Sequence, residues 1–153
     1  MKGHLMSTTP TFTPRLIGET EKTLNAILDR HLSGAGLTEQ HWITLTLAVV
    51  SSGSIDRGEL VKQVSGGAKF SDDDVRARVS ELIGMQLLDD SGSREVTVTN
   101  AGRELHARIR AANVELTERL WGDLPKADLE VAARVLATVL ERANAEFHEW
   151  PRA

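Results

Sequence analysis

One short run of alternating residues constrains the fold of this chain more than any other feature. Glu95-Val96-Thr97-Val98-Thr99 alternates polar with apolar side chains, which is typical of a β-strand with one buried face. Leu87-Leu88 is a second short apolar stretch, and Asp89-Asp90-Ser91-Gly92 follows it as a turn. The longer apolar patterns elsewhere in the chain have helical spacing. The sequence therefore predicts a mainly α-helical protein with one small β-hairpin.

Six helices surround this hairpin in the prediction. Apolar residues recur at steps of three and four over residues 15–33, 39–50, 57–64, 72–84, 101–121 and 125–147. Thr38, Asp56, Ser71 and Asn100 stand where helices begin, and their side-chain oxygens suit an N-cap. Pro125 opens the sixth helix, where proline is tolerated. Ser65-Gly66-Gly67-Ala68 predicts a flexible break between the third and fourth helices.

The order of these elements predicts the architecture. Three short helices followed by a hairpin, over residues 38–99, are the elements of a winged helix-turn-helix lobe. Residues 15–33 and 100–149 form longer helices with apolar stripes that so small a lobe cannot cover. We therefore expect one domain over residues 15–150, in which these helices form a dimerisation stem between two copies of the chain. Residues 1–14 are rich in Ser, Thr and Pro and are expected to form a disordered arm.

Composition excludes several classes of protein. The 153 residues include no cysteine, which excludes disulfides, thiolate metal sites and cysteine nucleophiles. Eighteen basic and 22 acidic residues leave a net charge of −4, the wrong sign for a protein that binds nucleic acid through bulk charge alone. No apolar run approaches a membrane-spanning length, and residues 1–10 lack the core of a secretory signal. We expect a cytoplasmic protein with no membrane partner.

Catalytic and metal sites have little support in the sequence. Ser51-Ser52-Gly53-Ser54 lacks the Gly-x-Ser-x-Gly pattern of a nucleophile elbow, and the Gly-rich 65–68 segment lacks the Gly-Lys-Ser/Thr end of a phosphate loop. His31, His41 and His106 lie on different predicted helices without metal-ligand spacing. We therefore predict no enzyme, no cofactor and no metal site. A small-molecule enzyme built in the dimer cleft is the more remote alternative.

Three segments, in the same order and with similar spacing, resemble the MarR (multiple antibiotic resistance regulator) family of transcriptional regulators. Residues 96–105, Val-Thr-Val-Thr-Asn-Ala-Gly-Arg-Glu-Leu, resemble the family's second wing strand and its "LT-x-AGR-x-L" helix start. Residues 37–42, Leu-Thr-Glu-Gln-His-Trp, are similar to its "LT-x-x-Q-W" motif, and residues 123–129 to its "LP-x-x-DL" motif. The resemblance implies an obligate homodimer that reads a pseudo-palindromic DNA operator and is released by a small, often phenolic, ligand.

The resemblance also implies where those sites lie. The fourth helix would enter the major groove and the hairpin wing would lie near the minor groove. The candidate DNA-binding residues are Lys69, Ser71, Asp72, Asp73, Arg76, Arg78 and Arg94. A small aromatic effector would bind beside the second helix, at His41, Trp42 and Leu45. An aromatic residue at such a position is more often part of the core.

The chain departs from the family in the part that would read DNA. Residues 65–70 make the link between the third and fourth helices about four residues longer than the family's tight turn. Asp72, Asp73 and Asp74 replace uncharged residues, and Ala77 stands at the family's arginine position. Residues 57–95 carry six basic and eight acidic side chains, so the basic footprint of a DNA-binding lobe is missing.

Two interpretations of the aspartates follow. They can act as ordinary acids at a helix N-terminus, or as functional groups that repel DNA, bind a basic partner or read a cytosine. The alternative function is therefore a MarR-like dimeric scaffold that has lost operator binding and acts through protein or ligand contacts.

Overall fold

The structure is a computed structural model, and it describes residues 9–150. Its elements are α1 (Pro14–Ser33), α2 (Glu39–Val50), β1 (Ser54–Asp56), α3 (Arg57–Ala68), α4 (Asp72–Gly84), β2 (Leu88–Asp89), β3 (Glu95–Val98), α5 (Asn100–Trp121) and α6 (Lys126–Glu149). Most of the expected disordered arm, residues 1–8, lies outside the described residues. Its last residue, Pro14, is the first of α1, and the Thr13 side chain caps that helix.

Most of the predicted N-caps are confirmed. The backbone N–H of Glu59 donates to Asp56 Oδ1 at 3.0 Å, and that of Asp74 donates to Ser71 Oγ at 3.1 Å. Thr38 is the N-cap of α2. The prediction for α5 was wrong by one residue, because Asn100 is already helical and Thr99 Oγ1 accepts from the Gly102 N–H at 2.9 Å. Pro125 likewise is the N-cap of α6 rather than its first residue.

The expected break at residues 65–68 is also wrong. Helix α3 continues to Ala68 and ends at Lys69, whose φ of 63° is left-handed. Two glycines cost a helix roughly 1 kcal/mol each, a preference that tertiary packing can outweigh. Here Phe70, just beyond the helix, packs against the core. The additional residues therefore lengthen α3 by about one turn, and α3 joins α4 through a short link.

The hairpin is confirmed, and it belongs to a sheet of three strands among the described residues. The strand order is β1-β3-β2, with both pairs antiparallel. Ile55 lies opposite Val96, and Leu88 lies opposite Val98. Val96 and Val98 are buried while their neighbours in β3 are exposed, as the alternation predicts. The sequence did not predict β1, since three residues are too few to show a period.

The Ala-Gly-Arg segment at the start of α5 has a packing role. A Cβ on Gly102 would overlap the Leu87 carbonyl oxygen, so only glycine lets α5 begin this close to the residue that precedes β2. Thr99 reinforces the approach, because its Oγ1 donates to the Gln86 carbonyl at 2.7 Å. Arg103 lies against Gly53, which has a φ of +84°. Through Gly102 and Arg103, the segment packs the start of α5 against the base of the wing and against the turn between α2 and β1.

The chain separates into two compact units, and their boundary, between Asn113 and Val114, falls inside α5. The first unit has a continuous apolar core, drawn from the helices and strands before that boundary, and Leu45, Leu60, Val75 and Leu82 are fully buried within it. The second unit contains the end of α5 and all of α6. No residue of α6 is buried.

Candidate nucleic-acid interface

Helix α4 presents three sides that carry different chemistry. Val75, Val79 and Leu82 are fully buried and fix the side that faces the core. Asp73, Arg76 and Ser80, spaced at i, i+3 and i+7, share an exposed side that we call the outer side of α4. Asp74, Arg78 and Glu81, at i, i+4 and i+7, share the remaining flank. The buried stripe therefore decides which charged residues are available to a partner.

Arg76 and Asp73 form an ion pair on the outer side. Arg76 Nη1 lies 2.9 Å from Asp73 Oδ1, and the two side chains are 60% and 94% exposed. An ion pair this exposed contributes little to folding stability. It does hold the guanidinium over the first turn of α4, where it partly compensates the charge of the aspartates.

A cleft of about 420 Å³ lies beside this pair and contains three arginines from separate parts of the lobe. Arg57 comes from the start of α3, Arg76 from α4 and Arg94 from the wing. Arg57 is held in place, because Nη1 donates to Asp90 Oδ2 at 3.2 Å and Nη2 donates to Ser80 Oγ at 3.0 Å. Its backbone N–H also donates to the Arg94 carbonyl at 2.8 Å. We call this group the arginine cleft.

Sequence reasoning missed Arg57. It counted Arg57 among the basic residues of the lobe but did not assign it to a site, since Arg57 follows an N-cap and looks like an ordinary first-turn residue. Only the folded chain brings it next to Arg76 and Arg94. Lys69, by contrast, lies at the end of α3, where its Nζ donates to the Gly66 carbonyl at 2.9 Å.

Arg78 does not join the arginine cleft. It lies on the other flank of α4, where its Nη2 donates to Glu81 Oε2 at 3.3 Å. Glu81 Oε1 is in turn 2.7 Å from Nε2 of the buried His41. The Thr38 backbone N–H donates to His41 Nδ1 at 2.9 Å, so Nε2 carries the proton and donates to Glu81. This chain of bonds connects the start of α2 to the C-terminal half of α4.

Comparison with solved structures identifies the fold of this chain. No protein-family model matches the sequence, and no curated protein matches it. A MarR protein from Peptoclostridium difficile superposes with a TM-score of 0.73, at 16% identity, covering 97% of this chain and 99% of that one. The reduced form of MarR from E. coli gives 0.67 at 19% identity, covering 86% and 96%. This chain has the MarR fold.

A third neighbour with the MarR fold carries a ligand. CouR from Rhodococcus jostii RHA1, bound to p-coumaroyl-CoA, superposes with a TM-score of 0.67 at 18% identity, covering 81% of this chain and 88% of that one. At identities of 16–19%, this similarity shows the fold alone.

Within this MarR-fold lobe, the three candidate effector residues have three different environments. His41 faces Glu81 on α4, and Leu45 is fully buried in the core. Trp42 stacks on His106 of α5, with ring centroids 4.7 Å apart and planes 17° from parallel. Burial lowers the pKa of His106, and the positive charge of Arg110 lowers it further. The three side chains therefore do not line a common pocket.

A second cavity, of about 530 Å³, lies near the α2 N-terminus. It is lined by Asp29 and Ser33 of α1, by residues 37–40 and by Arg78. In the described part of the chain, no three His, Asp or Glu side chains are grouped so as to hold a metal ion. Among the helices between residues 9 and 150, none has the length and apolarity to span a membrane.

Proposed function

We propose that this chain is a cytoplasmic, homodimeric, DNA-binding transcriptional regulator of MarR type, without enzymatic activity. In this proposal α4 enters the major groove and the wing lies near the minor groove. The observation that carries it is the arginine cleft, which groups Arg57, Arg76 and Arg94 beside the exposed side of α4. Guanidinium groups bind phosphates well because their planar N–H donors match phosphate oxygens.

Dimerisation is supported by the second unit. Leu136, Leu140 and Phe147 lie within about 40° of one another around α6 and are 44%, 62% and 60% exposed in the single chain. A stripe of large apolar side chains on one helix face is typical of an interface between protein chains. A second copy of α6 is the partner that presents the same stripe, as a two-fold interface requires.

The DNA proposal is tested by selecting genomic fragments with the full-length protein at low and physiological salt. Three arginines per subunit line the proposed surface, Arg57, Arg76 and Arg94, and the proposal adds Lys69, at the end of α3, as a fourth cation. Each neutralised phosphate releases ~0.9 counterion. For a dimer, a plot of the logarithm of the binding constant against the logarithm of the salt concentration should therefore have a slope no steeper than about −7. Enrichment of a palindromic sequence supports the proposal, whereas no sequence enrichment at either salt contradicts it.

Release by a small organic ligand is the finer part of the proposal. It is supported by the place of Trp42 on α2, stacked against α5 rather than sealed within the core of the lobe. If a ligand binds beside Trp42, aromatic acids should quench the protein's tryptophan fluorescence saturably. Trp42→Ala should abolish the binding and keep the fold. Saturable binding that survives this substitution would place the ligand elsewhere.

A scaffold that has lost operator binding is the second candidate, and the acidic first turn of α4 favours it. Asp72, Asp73 and Asp74 are all exposed at the end that would enter the groove. Replacing the three together by Ser, Pro and Thr separates the interpretations. If the aspartates repel DNA, non-specific affinity should rise tenfold or more. If they only stabilise the helix terminus, affinity should stay within about twofold and stability should fall slightly.

A further inference from the structure

We propose that Arg76 is the base-reading residue of α4, that it selects guanine, and that Asp73 is its positioning residue. The inference rests on the proposed DNA-binding function and specifies its sequence preference. It assigns Asp73 a role opposite to the one that its charge indicates. The aspartate contributes to recognition, although by itself it would repel the phosphate backbone.

The contacts and exposure of the side chains on α4 favour this pair as its reader. On the outer side, the Ser80 hydroxyl already accepts from Arg57, and Ala77 has no hydrogen-bonding side chain. On the other flank, Arg78 pairs with Glu81 and its side chain is only 26% exposed, whereas that of Arg76 is 60% exposed. Arg76 directs one nitrogen to Asp73 and has further N–H donors, while the second carboxylate oxygen of Asp73 remains an acceptor.

The chemistry of the pair matches one base pair and its neighbour. Arginine donates two parallel hydrogen bonds to O6 and N7 of guanine, and a carboxylate accepts from N4 of cytosine. An arginine held over the first turn by Asp73 loses less conformational freedom on binding than a mobile one. Each half-site should therefore contain a guanine, with a cytosine at an adjacent position.

The arginine cleft supports this division of labour. Arg57 is fixed by Asp90 and Ser80, and Arg94 comes from the wing, so both suit phosphate contacts at the edge of the groove. Arg76 is the member of the cleft that projects from α4 itself. The same cleft thus holds two arginines that position the duplex and one that reads it.

The experiment is selection from a randomised DNA library with the full-length protein and four variants. Arg76→Lys keeps the charge and removes the bidentate geometry. Arg76→Ala removes both. Asp73→Ala removes the positioning carboxylate, and Asp74→Ala is its matched control, because it removes the same charge from the same first turn, on the flank that carries Arg78 and Glu81.

The wild type should enrich guanine at one position of each half-site. Arg76→Lys and Arg76→Ala should each reduce that preference by roughly fivefold to hundredfold, the range for one bidentate contact. Asp73→Ala should weaken the guanine preference and the adjacent cytosine preference. Asp74→Ala should raise non-specific affinity as much as Asp73→Ala does and leave both preferences intact.

Two failures are distinguishable. Specific binding whose guanine preference survives Arg76→Ala, or equal loss of preference in Asp73→Ala and Asp74→Ala, overturns this inference and leaves the regulator proposal standing. No sequence preference in the wild type overturns both.

Discussion

The two compact units of this chain bury their apolar residues very differently. In the first, apolar side chains of the helices and the wing strands form a continuous core, and Leu45, Val75 and Leu82 are fully buried. In the second, α6 buries none of its residues and leaves Leu140 62% exposed. Both units have similar apolar periodicity in sequence. Apolar periodicity therefore identifies a helix face that will be buried, but it does not show whether the same chain or another chain buries it.

The largest expected effect comes from charging the exposed face of the second unit. Leu136→Asp or Leu140→Asp should monomerise or unfold the protein, because assembly would bury an unpaired carboxylate against apolar side chains. Size-exclusion chromatography with light scattering measures this directly. A wild-type mass near 16.7 kDa would contradict the dimer that the prediction assumes.

Thr138→Asp is the matched control for both variants. Thr138 is exposed and lies about 160–200° around α6 from the two leucines, so the same charge is added to the opposite face of the helix. It should leave the mass and the unfolding midpoint unchanged. Equal disruption by all three changes would mean that α6 is covered on every side.

The next largest effect belongs to the first unit. Gly102→Ala places a Cβ against the Leu87 carbonyl oxygen, which is backbone and cannot rotate away. We expect a loss of about 1–3 kcal/mol in the free energy of unfolding, the usual cost of overpacking. Gly84→Ala is the control, since a Cβ there meets nothing within 4 Å. Chemical denaturation of both variants checks the prediction, and equal stability would remove the packing role assigned to Gly102.

Much of the fold could be predicted because its signals are local. N-cap side chains such as Asp56 and Ser71 lie next to the backbone groups they satisfy, and the alternation around Val96 needs only five residues to show itself. The errors have equally physical causes. Strand β1 is too short to show a period. The predicted break at residues 65–68 rests on the low helix propensity of glycine, and the sequence does not show that Phe70 packs against the core beside it.

The candidate site was less predictable because it is assembled from distant residues. Arg57 and Arg94 are far apart in sequence, and nothing local indicates that they flank one cleft with Arg76. Arg76 and Arg78 look equivalent in sequence. The buried stripe of α4 fixes the rotation of the helix, so that Arg76 lies on the outer side and Arg78 lies beside Glu81. Charge counting over residues 57–95 could not show this difference, because it treats each charge as equally available.

A smaller effect should appear in the pH dependence of the first unit. Burial lowers the pKa of His106 in the folded chain, while the unfolded chain titrates near 6.5. Below that pH the unfolded state binds more protons, so stability is retained above about pH 6.5 and lost as pH falls toward the lowered pKa. His106→Gln should show a shallower loss of the urea midpoint between pH 7.5 and 5.5. An unchanged slope in His106→Gln would contradict the effect assigned to the burial of His106.

The smallest effect concerns the last turn of α3, where the structure and the sequence pattern disagree. A Cβ on Gly66 or Gly67 meets nothing within 4 Å, and both residues are helical, so alanine fits the native backbone at either position. Each change to Ala should stabilise the first unit by about 0.4–1 kcal/mol, because alanine restricts the unfolded chain more than glycine does. Gly92→Ala should instead destabilise it, since φ at Gly92 is +73°. Destabilisation by Gly66→Ala and Gly67→Ala would show that residues 65–68 form the break that their composition indicates, and that α3 ends about one turn earlier.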